Sequence, residues 1–495
     1  MKKIIFILFA FSVSVVFAQT DKEKVLETIS KNNIEGHIYF LADDLLKGRE
    51  TGTAENKIAA AYLANSFRRY GVKPNPKTGT YYQEFQLKKV IPPRKNTFSI
   101  NGTEYKDNVA IQPTLTEFKG EAIFLGHGLE SDYENANVDG KLVVVKAGSP
   151  TSKDARQAFG FKDEKIQLAR KAGAKGLVEF IDTDDNIWGF IEHNFTGVRL
   201  EMVKENNSQD NDQGTDDFLY MWALDKGGIH TGKLEKSPKL TGALLVGAPR
   251  TELITTQNVI GVVEGTDPKL KNEYIIYSAH YDHVGVGTPD ETGDNIYNGA
   301  RDNAVGATTV LSMAENLAKY PTKRSALFIL FTGEEKGLLG SNYYVEHPVL
   351  PLNQMVFCFN SDNAGYNNTA LATIIGLDRT TASENIKNAV KEFGLKATDD
   401  PAPEQGLFDR SDNVHFAAKG IPAPTFSLGF SSFDGDVTKY YHRPGDHADS
   451  LDYEYLEKFF RAYVLAGRLI ANDPVTPFWK KGDKYEEAGE RLYNE

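Results

Sequence analysis

The chain has 495 residues, 40% of them hydrophobic and 25% charged, with a formal net charge of −12. That length supports two or three domains around a large core, and the composition is that of an ordinary soluble globular protein. The acidic balance leaves no basic stripe to neutralise phosphates, which excludes a nucleic-acid partner. The single cysteine, Cys358, excludes an intramolecular disulfide. It lies in the apolar run from Met355 to Phe359 and reads as a small buried hydrophobe, so a cysteine hydrolase is disfavoured.

Along the chain, Met1-Lys2-Lys3 is a basic start and Ile4 to Phe17 carries no charge. With Val16-Phe17-Ala18 as a small-x-small cleavage site, residues 1–18 read as a secretory signal peptide. The mature chain then begins at Gln19, secreted or periplasmic, with no stable membrane span. No cysteine follows Ala18, so lipoprotein attachment there is excluded. Residues 19–91 carry helical patterns: Lys22 to Lys31, His37 to Leu45, and an amphipathic stretch from Glu55 to Tyr70 stopped by Gly71. From 92 to 250, short strand-like runs alternate with glycine and asparagine turns; Glu121–Leu125, Lys141–Lys146 and Leu177–Ile181 are examples, with a helix near Glu164 to Ala172. This reads as a small β-rich module inserted in the main domain.

Residues 251–473 become α/β. Strands are expected at Tyr274–Ser278, Ala326–Phe331 and Met355–Phe359, and helices at Ala304–Tyr320, Glu384–Phe393 and Tyr453–Ala471. The continuous apolar strands imply a mostly parallel central sheet covered by helices on both faces. Residues 474–495 form a charged tail, expected to be surface-bound or frayed after Pro477. The acidic stretches Asp210 to Asp217 and Asp434 to Asp436 read as solvated surface.

The chemistry concentrates in His280, Asp302, Glu335, Asp362 and His442, with Glu334 as a further carboxylate. Two imidazoles and three carboxylates suit a pair of borderline-hard divalent ions such as zinc. An acid that binds no ion suits a general base acting on water. His280, the Glu334-Glu335 pair and Asp362 each follow an apolar strand, where an open α/β sheet forms its ligand crevice. Asp282 is placed to orient a ligating His280, and His283, next to Asp282, is expected to point elsewhere if the segment stays extended. Asp302 also fits a helix N-cap, Glu334 and Glu335 also fit an acidic helix start, and His447 competes with His442. These alternatives stay open on the residues alone.

The motifs Ser278-Ala-His-Tyr-Asp-His283, Gly299-Ala-Arg-Asp-Asn-Ala304, Phe331-Thr-Gly-Glu-Glu335, Asn360-Ser-Asp362 and Tyr441-His442 resemble, in order and spacing, the M28 family of di-zinc peptidases. Leu41 to Arg49 and Tyr62 to Val72 are similar as well. The resemblance implies two zinc ions per chain: His280 and Asp362 hold one, Glu335 and His442 the other, and Asp302 bridges them. Glu334 becomes the proton shuttle, Tyr441 the oxyanion donor, and the Asp302–Asn303 peptide resembles a position that is cis in relatives. Gly140 to Val145 and Ala172 to Gly176 resemble a protease-associated (PA) domain. Arg410 and Asp412, in a stretch where Asn413 replaces the family's usual histidine, are implied to face substrate. The implied activity is a secreted aminopeptidase acting on a peptide or protein. A carboxypeptidase or dipeptidase is the alternative, and a glutaminyl cyclase or a non-catalytic receptor-like domain are weaker ones.

Overall fold

The computed structural model describes residues 19–93, 96–152, 154–203 and 218–494. The expected signal segment and the acidic stretch at 210–217 lie outside the described residues. The chain divides into two compact units, Met1–Phe85 with Thr255–Glu495, and Gln86–Ile254.

The first unit opens with helices α1 (Asp21–Thr28), α2 (Lys31–Leu41) and α3 (Ala54–Tyr70). There follow β1 (Arg250–Val263), β2 (Tyr274–His280), α4 (Gly306–Lys319), β3 (Ser325–Phe331), α5 (Leu339–Glu346), β4 (Met355–Ser361) and β5 (Leu371–Ile375). The unit closes with α6 (Ser383–Glu392), β6 (Lys396–Thr398), α7 (Asn413–Ala418), β7 (Thr425–Leu428), α8 (Tyr453–Asn472) and α9 (Glu486–Asn494). These strands lie in the order β6-β5-β7-β4-β2-β3-β1. The neighbours β7, β4, β2 and β3 run parallel, while β1 is antiparallel to β3 and β5 to β7.

Burial on both faces explains why the strands are continuously apolar. In β3, Leu327, Ile329 and Phe331 pack with Tyr344 of α5 and Phe416 of α7, whereas Ala326, Phe328 and Leu330 pack with α4 and α8. Each such Leu, Ile or Phe contributes roughly 1.5–3 kcal/mol. Cys358 of β4 sits fully buried in this layer. Among the described residues no helix is long and apolar enough to cross a membrane.

One expectation changes and one narrows. The first helical patterns divide at Ile29–Ser30, because the Ser30 side chain accepts from Asn33 N and starts α2 anew; the chain leaves α2 at Leu41 rather than Leu45, and Lys47 and Gly48 are left-handed. Of the two states expected of the tail, surface-bound or frayed, the structure has the first, with more of it buried than a charged stretch suggests. Trp479 is 2% exposed and donates to Gly420 O, Arg379 pairs with Asp483 at 2.7 Å, and Tyr493 of α9 donates to Met355 O. Aromatic anchors inside a charged stretch hold it down.

The second unit is built on an eight-stranded sheet among the described residues. Its neighbouring strands Thr116–Phe124, Leu142–Lys146, Gly176–Ile181 and Tyr220–Leu224 are mutually parallel. Alternation divides them cleanly: Val143, Val145, Leu177 and Trp222 face one core, and Leu142, Val144, Val178 and Met221 the other. Helix Lys162–Lys171 and strand Gly176–Ile181 bring Lys165 and Glu179 together at 3.2 Å with both side chains fully buried. Burial lowers the lysine's pKa and pushes the glutamate's up to about 7. Breaking this pair from one side strands a charge in the core. Lys165→Met therefore costs about 3–5 kcal/mol in urea unfolding, and Lys165→Met with Glu179→Leu regains most of it.

Candidate metal centre

Three strands end at one place in the first unit. His280 is the last residue of β2, Thr332-Gly333 carries the chain from β3 to Glu334 and Glu335, and Asp362 directly follows β4. Parallel registers of β2 with β3 and β4 align these ends. Gly333 has φ +77° and Gly299 has φ +61°. A Cβ on Gly299 would come within 2.2 Å of Asp302 O and 2.6 Å of the His283 ring, so only glycine admits the loop that delivers Asp302. The Asp302–Asn303 peptide is cis.

The side chains converge. His280 Nε2 lies 3.3 Å from Asp302 Oδ1 and 3.2 Å from Asp362 Oδ1. His442 Nε2 lies 3.3 Å from Asp302 Oδ2 and 3.0 Å from Glu335 Oε2. Asp302 thus presents one oxygen to each histidine. Its carboxyl is held well below the usual range: burial raises it, but His280 and His442 outweigh that. Burial also opposes the other shifts. His280 is nonetheless raised well above its ordinary value by Asp362 and Glu334, and Glu335 is held at about 2 by His283 and His442. Glu334 moves the other way, well up, because burial and the neighbouring Asp362 and Glu335 disfavour its charge.

His283 departs from the extended-strand expectation. Strand geometry stops at His280, and the turn that follows swings His283 onto Glu335, Nδ1 to Oε1 2.6 Å, and within 3.8 Å of Asp302. His447 instead meets Asp294 at 3.2 Å on the surface. His442 has φ +50°, a left-handed conformation costly for a non-glycine residue. Asp282 supports the site differently from the expected carboxylate–imidazole bond: its carbonyl lies 3.2 Å from His280 Nδ1, whereas its carboxylate lies 3.8 Å from that atom and accepts from Thr51 Oγ1 at 2.7 Å and Glu334 N at 3.3 Å.

The donor set suits cations. His283, Asp302, Glu335 and His442 form one group able to hold an ion, and His280, Glu334 and Asp362 another. His442 Nε2 is buried with no hydrogen-bond partner although carboxylate oxygens surround it. A ring nitrogen and carboxylate oxygens gathered in this way suit a cation between them, and a dication there neutralises acids that otherwise repel.

A cavity opens over these groups. Tyr441 and Arg410 line it, with Ile375, Leu407, Phe430 and Phe433 as an apolar wall. Tyr441 stacks on the His442 ring, centroids 4.0 Å apart, and burial with Asp302 and Glu335 nearby raises its phenol well above the usual range. Asp412, expected at the substrate, does not line the cavity: it is fully buried at the start of α7, and burial raises its carboxyl to about 7. Asn413 is turned away too, donating to Phe408 O and Ala423 O. Sequence reasoning missed Asp446, which has no signal in strand or helix period. Its carboxylate accepts from Arg301 N at 2.9 Å and Asp302 N at 3.3 Å, and pairs with Arg301 Nη1 at 2.9 Å.

The geometry separates the histidines by experiment. His283→Ala unlocks Glu335 and weakens divalent-cation binding about 10–100-fold, whereas His447→Ala leaves it unchanged; equilibrium dialysis reads both.

Comparisons with known proteins cover the stretch that carries this site. Residues 258–466 match the model of peptidase family M28. Aminopeptidase YwaD of Bacillus subtilis (strain 168) is 26% identical over 423 residues, 83% of this chain and 78% of that protein. The structure of the aminopeptidase from Aneurinibacillus sp. strain AM-1 superposes with a TM-score of 0.63 at 21% identity, covering 92% of this chain and 98% of the other. That of BSAP, a zinc aminopeptidase from Bacillus subtilis, gives 0.53 at 22% identity over 92% and 97%. Every group described at the strand ends, from His280 to His442, falls within the segment 258–466 that matches the model of peptidase family M28.

Proposed function

We propose that the protein is an exported two-zinc aminopeptidase that releases N-terminal residues from peptides. The observation that carries this reading is the Asp302 carboxylate, its two oxygens facing His280 and His442 from opposite sides at 3.3 Å each. That arrangement supports a shared ligand, with His280 and Asp362 completing one zinc site and Glu335 and His442 the other. The names of the relatives support the aminopeptidase assignment, and the basic, then uncharged, leader supports export.

When bound, such ions acidify a water and polarise the scissile carbonyl. The protein supplies the rest. Glu334 lines the cavity beside Asp362 and Glu335, a position that suits a group that takes a proton from the attacking water and returns it to the leaving amine. Tyr441, its phenol firmly protonated, is a hydrogen-bond donor for the oxyanion. The apolar wall of Ile375, Leu407, Phe430 and Phe433 receives an apolar side chain and excludes water.

One observation favours a second reading. Arg410 is exposed on the cavity wall and makes no ion pair among the described residues, so it is a candidate receiver for a terminal carboxylate, as a carboxypeptidase or dipeptidase requires. Peptides blocked at the N-terminus or the C-terminus separate the two. The aminopeptidase loses only the N-blocked substrate, and the converse pattern overturns the first reading.

Glu334→Gln keeps zinc content, measured by elemental analysis, and lowers kcat on aminoacyl-anilides by about 10²–10⁴. Chelation abolishes wild-type hydrolysis, and zinc restores it.

A further inference from the structure

Arg49 is 1% exposed and ends the short helical turn Asp44–Arg49 that lies between α2 and α3. Its guanidinium touches no carboxylate at ion-pair distance among the described residues. It donates instead to main-chain carbonyls of three separate stretches: Leu41 at the end of α2, Tyr281 at 2.8 Å, and Asn298 and Gly299 at 2.5 and 3.1 Å. Tyr281 stands between His280 and Asp282, and Gly299 opens the loop that bears Asp302. A cation enclosed in this way is costly unless its N–H groups are satisfied, and a planar fork with several donors in fixed directions satisfies them where a lysine cannot.

The surrounding contacts make the fit tight. Arg49 and Gly48 are left-handed, with φ +52° and +66°. A Cβ on Gly48 would stand 2.4 Å from Tyr297 O and 2.7 Å from Gly285 O, so the segment is wedged against the connection between the two ligand loops. Asn56 of α3 donates to Arg49 O at 3.0 Å, and its own carbonyl oxygen accepts from Thr332 Oγ1 at 3.3 Å, in the turn leading to Glu334. One residue from the first tenth of the chain thereby ties together the His280 and Asp302 loops, and its neighbour Asn56 extends the tie to the Glu334 turn.

We propose that Arg49 is a positioning residue that sets the separation of the His280 and Asp302 loops, and so the zinc affinity of the centre. This rests on the zinc reading above. Charge alone has the opposite sign, because a buried guanidinium repels a dication and its removal tightens zinc binding. A merely structural role lowers thermal stability and leaves affinity in the folded protein unchanged. Only positioning predicts weaker binding.

The test is zinc affinity of the full chain by competition with a chromophoric chelator, alongside Tm of the zinc-free and zinc-loaded forms. Arg49→Met is expected to weaken zinc binding about 10–100-fold, with a smaller zinc-induced rise in Tm. Should Arg49→Met not fold, Asn56→Ala, which removes the side chain bracing the Arg49 carbonyl and the Thr332 hydroxyl, is expected to weaken it severalfold. Wild-type or tighter affinity in folded Arg49→Met overturns the proposal, as does wild-type affinity in Asn56→Ala. Wild-type protein that takes up no zinc overturns the zinc reading instead.

Discussion

Like charge gathered in a dry place is the constraint on which this molecule turns. Asp282, Asp302, Glu334, Glu335 and Asp362 crowd the ends of three parallel strands, most of them deeply buried. Isolated carboxylates do not stay ionised there. The protein answers with imidazoles between them: His280 between Asp302 and Asp362, His442 between Asp302 and Glu335, His283 on Glu335. The same field that holds protons on these rings attracts dications, and this is why one donor set both tolerates burial and fits metal.

The sheet makes the crowding possible. Parallel strands covered on both faces are rigid, and their aligned carboxyl ends deliver side chains from distant stretches of sequence without needing long loops. The apolar payload of β2, β3 and β4 therefore does two jobs at once: it supplies core stability, and it fixes the spacing of the acids within the tolerance that coordination demands. The supports are main-chain and second-tier contacts. Asp446 holds the N–H groups of Arg301 and Asp302, Arg49 holds the carbonyls before them, and Asn303 donates to Ser361 O beside Asp362.

What was legible in the sequence follows from this division. The apolar runs at Tyr274, Ala326 and Met355 announced buried parallel strands because burial on two faces erases alternation, and the residues just beyond them became ligand candidates for the same reason. Asp302 and His442 carried no such signal. They lie outside the strands, where period says nothing: Asp302 stood out only beside the other candidate ligands, and His442 only through the motif resemblance. His283 and Asp412 show the converse. Extended-strand logic turned His283 away, yet the strand ends at His280 and the turn brings it back. The resemblance of the stretch from Arg410 put Asp412 at the substrate, yet one residue after the cavity-lining Ser411 the chain has already turned into the core.

The docked tail and the Arg49 segment make a related point about range. Trp479 and Arg49 are both buried polar-tipped side chains in stretches that look charged and irregular, and both find partners far along the chain, Gly420 O 59 residues away in one case and Gly299 O 250 residues away in the other. A local window averages such residues into their polar surroundings. Their meaning resides in the backbone carbonyls they satisfy, which have no sequence signature at all. For a site assembled from strand ends, the ligands are therefore partly readable in advance, whereas the contacts that hold those ligands at their distances become visible only once the chain is folded.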